Sequence, residues 1–129
     1  KFAYMNEHDS EKIASLYADS AVFDSPNFFK TEKWKAAVVT IYARYFSSTP
    51  NLVYTITRII PADSVVVIEY TAEGTFSHPE QGTPSYMQGK KYSLQNCTLL
   101  NISGGRITKE VDYFDQVSFL RQVGFFDKN

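Results

Sequence analysis

A Gly104-Gly105 pair between two long alternating segments constrains the fold more than any other feature of this sequence. Both residues can adopt positive φ, so the pair predicts a tight two-residue β-hairpin turn. The arm after the turn, residues 106–114, alternates like a strand that has one face buried. The alternation predicts an apolar face with Ile107, Val111 and Tyr113 and a polar face with Thr108, Glu110 and Asp112. We therefore expect Asp112 to face solvent or an interface.

The segment after this arm predicts a short helix that closes one side of a hollow sheet. Residues 116–123 carry apolar positions at helical spacing, and Gly124 ends the pattern. Asp115 stands where the N-cap of this helix is needed, because its side chain can accept from the free N–H groups of the first turn.

The first half of the chain predicts three helices. Residues 1–8 are typical of the end of a first helix, and Asp9 or Ser10 is expected to cap a second. Thr31 is expected to cap a third helix, whose apolar stripe begins at Trp34 and which ends before Pro50.

The second half predicts strands over residues 52–60, 64–76 and 86–103, followed by the final arm. Helices first and a meander of strands afterwards are typical of an α+β layout. We expect one domain, residues 1–129, with three N-terminal helices packed on a curved antiparallel sheet that forms a cone.

Composition excludes several classes of function. A net charge of −1 and a sequence pI of about 6.1 argue against nucleic-acid partners and anionic membranes. Cys97 is the single cysteine, and no His pair has metal-ligand spacing, so neither a disulfide framework nor a metal site is expected. No apolar run approaches the roughly 18 residues of a membrane span, and we expect a cytoplasmic location. The chain begins at Lys1 without an initiator Met, which leaves room for a trimmed native N-terminus.

Aromatic side chains make up 16% of the chain, which is high for a small domain. They could simply fill the core, or they could line a deep pocket for a flat or apolar ligand.

Three stretches resemble known proteins. Residues 16–26 (LYADSAVFDSP) are similar to a helix-to-strand junction, and Glu73-Gly74-Thr75 with Gln88-Gly89-Lys90 is similar to a central hairpin. The run Tyr113-Phe114-Asp115 with Leu120-Arg121-Gln122-Val123-Gly124 resembles the closing signature of SnoaL-like proteins. These belong to the nuclear transport factor two-like superfamily, which includes ketosteroid isomerase, polyketide cyclases and several dehydratases. The resemblance implies the cone fold, a pocket between helices and sheet, no cofactor, and a homodimer through the outer sheet face.

Two carboxylates are catalytic candidates, and each has a structural alternative. Asp24 has apolar neighbours, such as Phe23, that would raise its pKa for general-base work, but it could equally cap a turn before Ser25-Pro26. In ketosteroid isomerase the base directly precedes that Pro, where this chain has Ser25. The resemblance to polyketide cyclases makes Asp115 an acid/base candidate. The alternative is that Asp115 only caps the helix that follows it. Asp9, which matches a dehydratase aspartate that pairs with a strand His, has no such partner and is interpreted as a cap.

A set of polar and aromatic side chains is expected to reach the pocket from its walls. A phenol can donate to a carbonyl or enolate oxygen in a dry site, although buried tyrosines are commonly core residues. The candidates are Tyr54, Tyr70, Tyr92, Tyr113 and Asn96 from the strands, Trp34 and Tyr42 from the helical wall, and Phe28 from the junction.

The leading hypothesis is a cofactor-free isomerase, cyclase or dehydratase that acts on a small, largely apolar carbonyl compound. Asp24 or Asp115 would move the proton, and Tyr70, Tyr113 or Asn96 would hold the oxygen. The rivals are a ligand-binding protein that has the same pocket without chemistry, and a dimeric scaffold whose cone is filled by its own aromatic residues. An inward carboxylate of raised pKa, near a Tyr and facing an open cavity, would favour the enzyme.

Overall fold

The structure, a computed structural model, describes residues 1–27 and 31–127. Over these residues the helices are α1 (Phe2–Asn6), α2 (Ser10–Ala14), α3 (Lys35–Ser48) and α4 (Gln116–Gln122), with a 3₁₀ turn at Ser85–Met87. The strands are β1 (Tyr17–Asp24), β2 (Glu32–Lys33), β3 (Val53–Ala62), β4 (Val65–Phe76), β5 (Lys90–Ser103) and β6 (Arg106–Phe114). The expected α+β layout is confirmed. Three helices precede the meander of β3 to β6 in the sequence, and a fourth follows it. None of the described helices is long and apolar enough to cross a membrane.

The strands form one sheet in the order β2-β1-β6-β5-β4-β3. Strands β3 to β6 are a meander of antiparallel neighbours, as predicted. The sheet also contains one parallel pair that was not predicted, between β1 and β6. These two strands are far apart in the sequence, and no local turn signal announces their pairing.

The turn at Gly104-Gly105 is confirmed as the hairpin that joins β5 to β6. The two glycines have φ of 57° and 76°, which are the positive angles that such a turn requires. Gly124 after α4 also has a positive φ, of 80°, as expected of a glycine that ends a helix.

A β-bulge next to this hairpin overturns the predicted faces of β6. Ile102 pairs with Ile107, but Asn101 pairs with Lys109, so Thr108 is an extra residue on β6. A shift of one residue exchanges the two faces of a strand. Beyond Thr108, the polar set predicted to face outward, Glu110 and Asp112, is buried, and Tyr113, predicted to face inward, is 57% exposed.

The third helix begins later than predicted. Thr31 is not its cap, because Glu32 and Lys33 pair with β1 as the short edge strand β2. Trp34 then turns the chain with a φ of 79°, and α3 starts at Lys35. Trp34 is 63% exposed and does not form part of the helical wall.

The core lies between α3 and the concave face of the sheet. From α3, Val38, Ile41 and Tyr42 are buried, and they pack in one cluster with Ile68 and Tyr70 of β4. Tyr70, which was predicted to reach a pocket from its strand, therefore lies on the inner face of β4.

The opposite, convex face carries an apolar row across four strands. Ile60 pairs with Val67, Val67 with Leu99, and Leu99 with Val111. The structure contains one chain, so the expected homodimer stays a prediction.

Substituting Leu99→Arg tests the expected dimer, because a charge in the middle of this row would have to be desolvated in the interface. We expect wild-type protein to sediment as a dimer at micromolar concentration and the variant as a folded monomer. Asp19→Arg, on an exposed part of β1, is the control and should remain dimeric. A monomeric wild type would contradict the prediction.

Candidate functional site

An open cavity of about 280 Å³ lies between α3 and the concave face of the sheet. Its walls are mainly aromatic and aliphatic, with a few polar groups directed into it. Five of the residues predicted to reach a pocket line this cavity: Tyr42, Tyr54, Tyr70, Tyr92 and Asn96. The cone is therefore not filled by its own aromatic side chains.

Asp112 is the buried carboxyl group in the wall of this cavity, and it was not among the predicted catalytic residues. It is 7% exposed. The Thr98 hydroxyl on the neighbouring strand lies 2.8 Å from Asp112 Oδ1 and 3.3 Å from the Tyr70 hydroxyl oxygen. The Thr98 hydrogen serves one of these acceptors at a time, and whenever it is donated to the Tyr70 oxygen, the Tyr70 O–H can donate to a ligand.

Glu110, two residues earlier on β6, is fully buried beside Asp112. Its carboxylate accepts from the hydroxyl of Tyr17, and the hydroxyl of Tyr42 lies 3.2 Å from Oε2. The Lys1 ammonium group lies 3.3 Å from Oε1, and the Lys1 side chain is only 6% exposed. Lys1 also donates to the Tyr42 hydroxyl at 2.5 Å. Every one of these neighbours donates, which is what an ionised carboxylate requires.

The two carboxyl groups have opposite pKa shifts. For Asp112, burial and the nearby negative charge of Glu110 raise the pKa well above the usual aspartate value. For Glu110, burial alone would raise the pKa, but the Lys1 charge and hydrogen bonds donated by Asp112, Tyr17 and Lys1 outweigh it and lower the pKa. The pair therefore holds one proton, which stays on Asp112 while Glu110 is ionised.

The tyrosines of the cavity remain protonated. Burial raises the pKa of Tyr42, Tyr54, Tyr70 and Tyr92 above the usual phenol value. Each can therefore act as a hydrogen-bond donor at neutral pH. Tyr92 already shares a hydrogen bond of 2.8 Å with the Thr49 hydroxyl.

The two predicted carboxylates lie away from this cavity. Asp24 ends β1, where it pairs with Val111, and it does not line the cavity. The hydrogen bond in the turn after it is made by Ser25, whose hydroxyl accepts from Asn27 N at 3.3 Å. Asp115 caps α4 by accepting from Ser118 N at 3.1 Å, as its structural interpretation predicted. Asp9 likewise caps α2 by accepting from Lys12 N.

Three other predicted site residues do not line the cavity as the structure describes it. Tyr113 lies on the convex face because of the bulge at Thr108, and Trp34 lies before α3 on the surface. Phe28 lies outside the described residues.

Sequence reasoning missed Asp112 and Glu110 because the alternation of β6 was read from Arg106 without a bulge. The pattern itself gave no sign of the extra residue. The one available signal was the number of donors elsewhere: Tyr17 and Tyr42 both fall on buried faces and need acceptors.

The far end of the cavity is bounded by α4 and by the loop between β4 and β5. Arg44 of α3 forms an ion pair with Glu80 of this loop, with N–O distances of 2.6 and 3.1 Å. Phe119 of α4 packs edge-on against Tyr92 and Phe76, with ring centroids 5.0 and 5.8 Å apart.

The described residues contain no cluster of three or more His, Cys, Asp or Glu that could hold a metal ion. The groups that the cavity offers for chemistry are the carboxyl group of Asp112, several phenols and amides, and the Arg44–Glu80 ion pair at its far end.

Comparison with known proteins supports the resemblance inferred from the sequence. The family model of the SnoaL-like domain matches residues 2–110. Among curated proteins, none matches this chain.

Solved structures share the fold. A protein from Catenulispora acidiphila with a ketosteroid isomerase-like fold, crystallised with trimethylamine, is 24% identical, with a TM-score of 0.78 over 95% of this chain and 88% of its own. A protein from Jannaschia named as a SnoaL-like polyketide cyclase is 13% identical, with a TM-score of 0.80 over 93% and 85%. An epoxide hydrolase from M. tuberculosis is 17% identical, with a TM-score of 0.70 over 95% and 82%. At these identities the likeness concerns the fold.

The raised pKa of Asp112 predicts how stability depends on pH. A carboxyl group that binds its proton more tightly when folded contributes stability below its unfolded pKa of about 3.9. That contribution is lost as the pH rises through the folded pKa. We expect the free energy of unfolding of wild type, relative to Asp112→Asn, to fall above about pH 4, with a slope approaching 1.4 kcal/mol per pH unit.

Urea denaturation at a series of pH values measures this difference. Asp19→Asn, which removes a carboxyl group from a side chain that is 98% exposed, is measured alongside as the control. If Asp112→Asn ran parallel to wild type, the pKa of Asp112 would not be raised. Glu110, with its lowered pKa, contributes in the opposite sense and in a separate window below the usual glutamate pKa of about 4.3.

Proposed function

The chain belongs to the SnoaL-like domain family, and from that premise we propose that it catalyses cofactor-independent proton transfer on a small, largely apolar carbonyl compound. The observation that carries this proposal is Asp112, a buried carboxyl group of raised pKa in the wall of an open cavity. Catalytic acids and bases are typically tuned in this way, toward the pH at which they work.

In this proposal Asp112, and not Asp24 or Asp115, is the general base that moves the proton. As a carboxylate it would remove a proton from the carbon next to the carbonyl group. The electron pair of that C–H bond then forms the enolate, and negative charge moves to the carbonyl oxygen. The high pKa makes the ionised form of Asp112 a strong base, so the rate should rise as the pH rises through that pKa.

Tyr70 and Asn96 are proposed to hold the oxygen of the enolate. They are neighbours in register on β4 and β5, and both line the cavity. The phenol of Tyr70 stays protonated because burial raises its pKa. One N–H of Asn96 is used by the Leu94 carbonyl at 3.0 Å, which leaves the other for a ligand. Donors aimed at a developing oxyanion in a dry site are a large source of catalysis.

The second half of the reaction returns the proton from Asp112. Where a C=C bond is conjugated with the enolate, delivery to the far carbon of this dienolate completes an isomerisation. Delivery to a β-hydroxyl group that leaves as water completes a dehydration. Attack of the enolate carbon on a second carbonyl of the same molecule forms a C–C bond and an alkoxide, and delivery of the proton to that alkoxide oxygen completes a cyclisation. The apolar walls and the volume of about 280 Å³ support a compact, weakly polar substrate for any of the three.

Hydrogen–deuterium exchange at C1 of 2-tetralone tests the proposal without knowledge of the natural substrate. This ketone is small and apolar, and proton NMR in D₂O follows the loss of its acidic C–H signals. We expect wild type to accelerate exchange above the buffer rate. Asp112→Asn should lose this acceleration, by roughly 10²- to 10⁴-fold as is typical for a general base.

Two further variants make the result specific. Asp24→Asn and Asp115→Asn should retain the exchange activity, because neither carboxylate lines the cavity. Full exchange activity in Asp112→Asn would overturn the proposal. Binding of 2-tetralone in the cavity, seen as protein chemical-shift changes, with no acceleration of exchange would favour the non-catalytic binding protein instead.

A further inference from the structure

We propose that Gln116 forms a second polar subsite in the cavity, so that the natural ligand carries a hydroxyl or N–H donor at the end opposite its carbonyl group. The inference that this ligand has a carbonyl group rests on the proposed function of Asp112 and Tyr70. The subsite itself rests on separate observations at the start of α4.

The side-chain oxygen of Gln116 is the unusual feature. Gln116 lines the cavity, and among the described residues its Oε1 is the one buried side-chain polar atom that has no hydrogen-bond partner. A buried acceptor left without a donor costs roughly 1–3 kcal/mol, so such atoms are rare and usually have a reason. A ligand in the cavity can supply the missing donor.

The position of Gln116 is fixed by the rest of α4. Gln122 clamps the helix to β5, since its amide accepts from Ser93 N at 2.7 Å and donates to Ser93 O at 3.0 Å. Phe119 packs on Tyr92 at the same end of the sheet. Asp115 caps the helix at the residue before Gln116. The orphaned oxygen is therefore held by a well-anchored element.

The register of the sheet separates this oxygen from the reacting end of the cavity. Thr98 pairs with Asp112, and Asn96 pairs with Phe114. Beyond Phe114 the chain continues through Asp115 to Gln116, the first residue of α4, and this helix contacts β5. Four residues of extended chain span about 13 Å, which is an upper bound for the distance between Asp112 and Gln116 along the cavity.

The wall between the two ends is apolar. Ala72 and Leu94 pair across β4 and β5, and Phe114 and Phe119 approach from β6 and α4. A matching ligand has a flat or aliphatic middle, a carbonyl oxygen at one end and a hydrogen-bond donor at the other. Hydroxylated cyclic ketones belong to this class.

Three ketones of one size test the subsite: 2-tetralone, 6-hydroxy-2-tetralone and 6-methoxy-2-tetralone. The hydroxyl compound offers a donor at the far end, and the methoxy compound offers only an acceptor there. We expect wild type to bind the hydroxyl compound roughly 5- to 10-fold more tightly than either of the others, as fits one hydrogen bond to a buried acceptor. Affinities are measured by titration calorimetry.

The Gln116→Leu variant should lose this preference and bind 2-tetralone as tightly as wild type does. Gln95→Leu, an exposed glutamine on β5, is the matched control and should keep the preference. The proposal is wrong if wild type binds all three ketones alike, or if the methoxy compound binds as tightly as the hydroxyl compound. The second result would mean that the amide presents its N–H₂ group instead.

The same titrations on Asp112→Asn separate the two proposals. A preference for the hydroxyl compound that survives in Asp112→Asn, together with unchanged exchange of 2-tetralone, supports the subsite and rejects the catalytic role of Asp112. Loss of exchange in Asp112→Asn, with no preference in wild type, rejects the subsite and leaves the catalytic role standing.

Discussion

A single negative charge, buried on Glu110, is the constraint on which the site depends. Removing a carboxylate from water is costly unless donors surround it, and here Lys1, Tyr17 and Tyr42 do so. These three residues come from the start of the chain, from β1 and from α3, so the charge ties three separate elements to β6. Because its donors keep Glu110 ionised, the neighbouring Asp112 keeps its proton. The protonation of the cavity carboxyl thus follows from how a charge outside the cavity is compensated.

The bulge at Thr108 connects the fold to this chemistry. If β6 ran through Thr108 without a bulge, Glu110 and Asp112 would point to the convex face and Val111 and Tyr113 would enter the core. The hydroxyl of Thr108 donates to Asn101 O at 3.2 Å, which satisfies a carbonyl group at the irregularity. The apolar row on the convex face depends on the same shift, since it includes Val111. The bulge therefore determines both which polar groups reach the cavity and which apolar residues lie on the convex face.

Much of the architecture could be predicted from local patterns, because turns, caps and alternation depend on near neighbours. The Gly104-Gly105 turn, the Asp115 cap and the inward direction of Tyr70, Tyr92 and Asn96 are of this kind. The start of α3 and the faces of β6 could not be predicted. The first depends on pairing between Glu32-Lys33 and β1, and the second on the register of β5 against β6. The same holds for the site. The sequence places Tyr42, Tyr54, Tyr70, Tyr92 and Asn96 at the cavity, but it places Asp112 on the wrong face of β6.

The ¹³C chemical shift of the Asp112 carboxyl carbon reports whether this group carries the shared proton. Protein labelled at aspartate carboxyl carbons is titrated by NMR, and Asp112→Asn identifies the resonance. We expect this resonance to titrate well above the usual aspartate pKa of about 3.9, and to move to lower pH in Glu110→Gln, where the neighbouring charge is gone. An Asp112 resonance that titrates near the usual value in wild type would contradict the account, because the proton would then have no reason to reside on the group that faces the cavity.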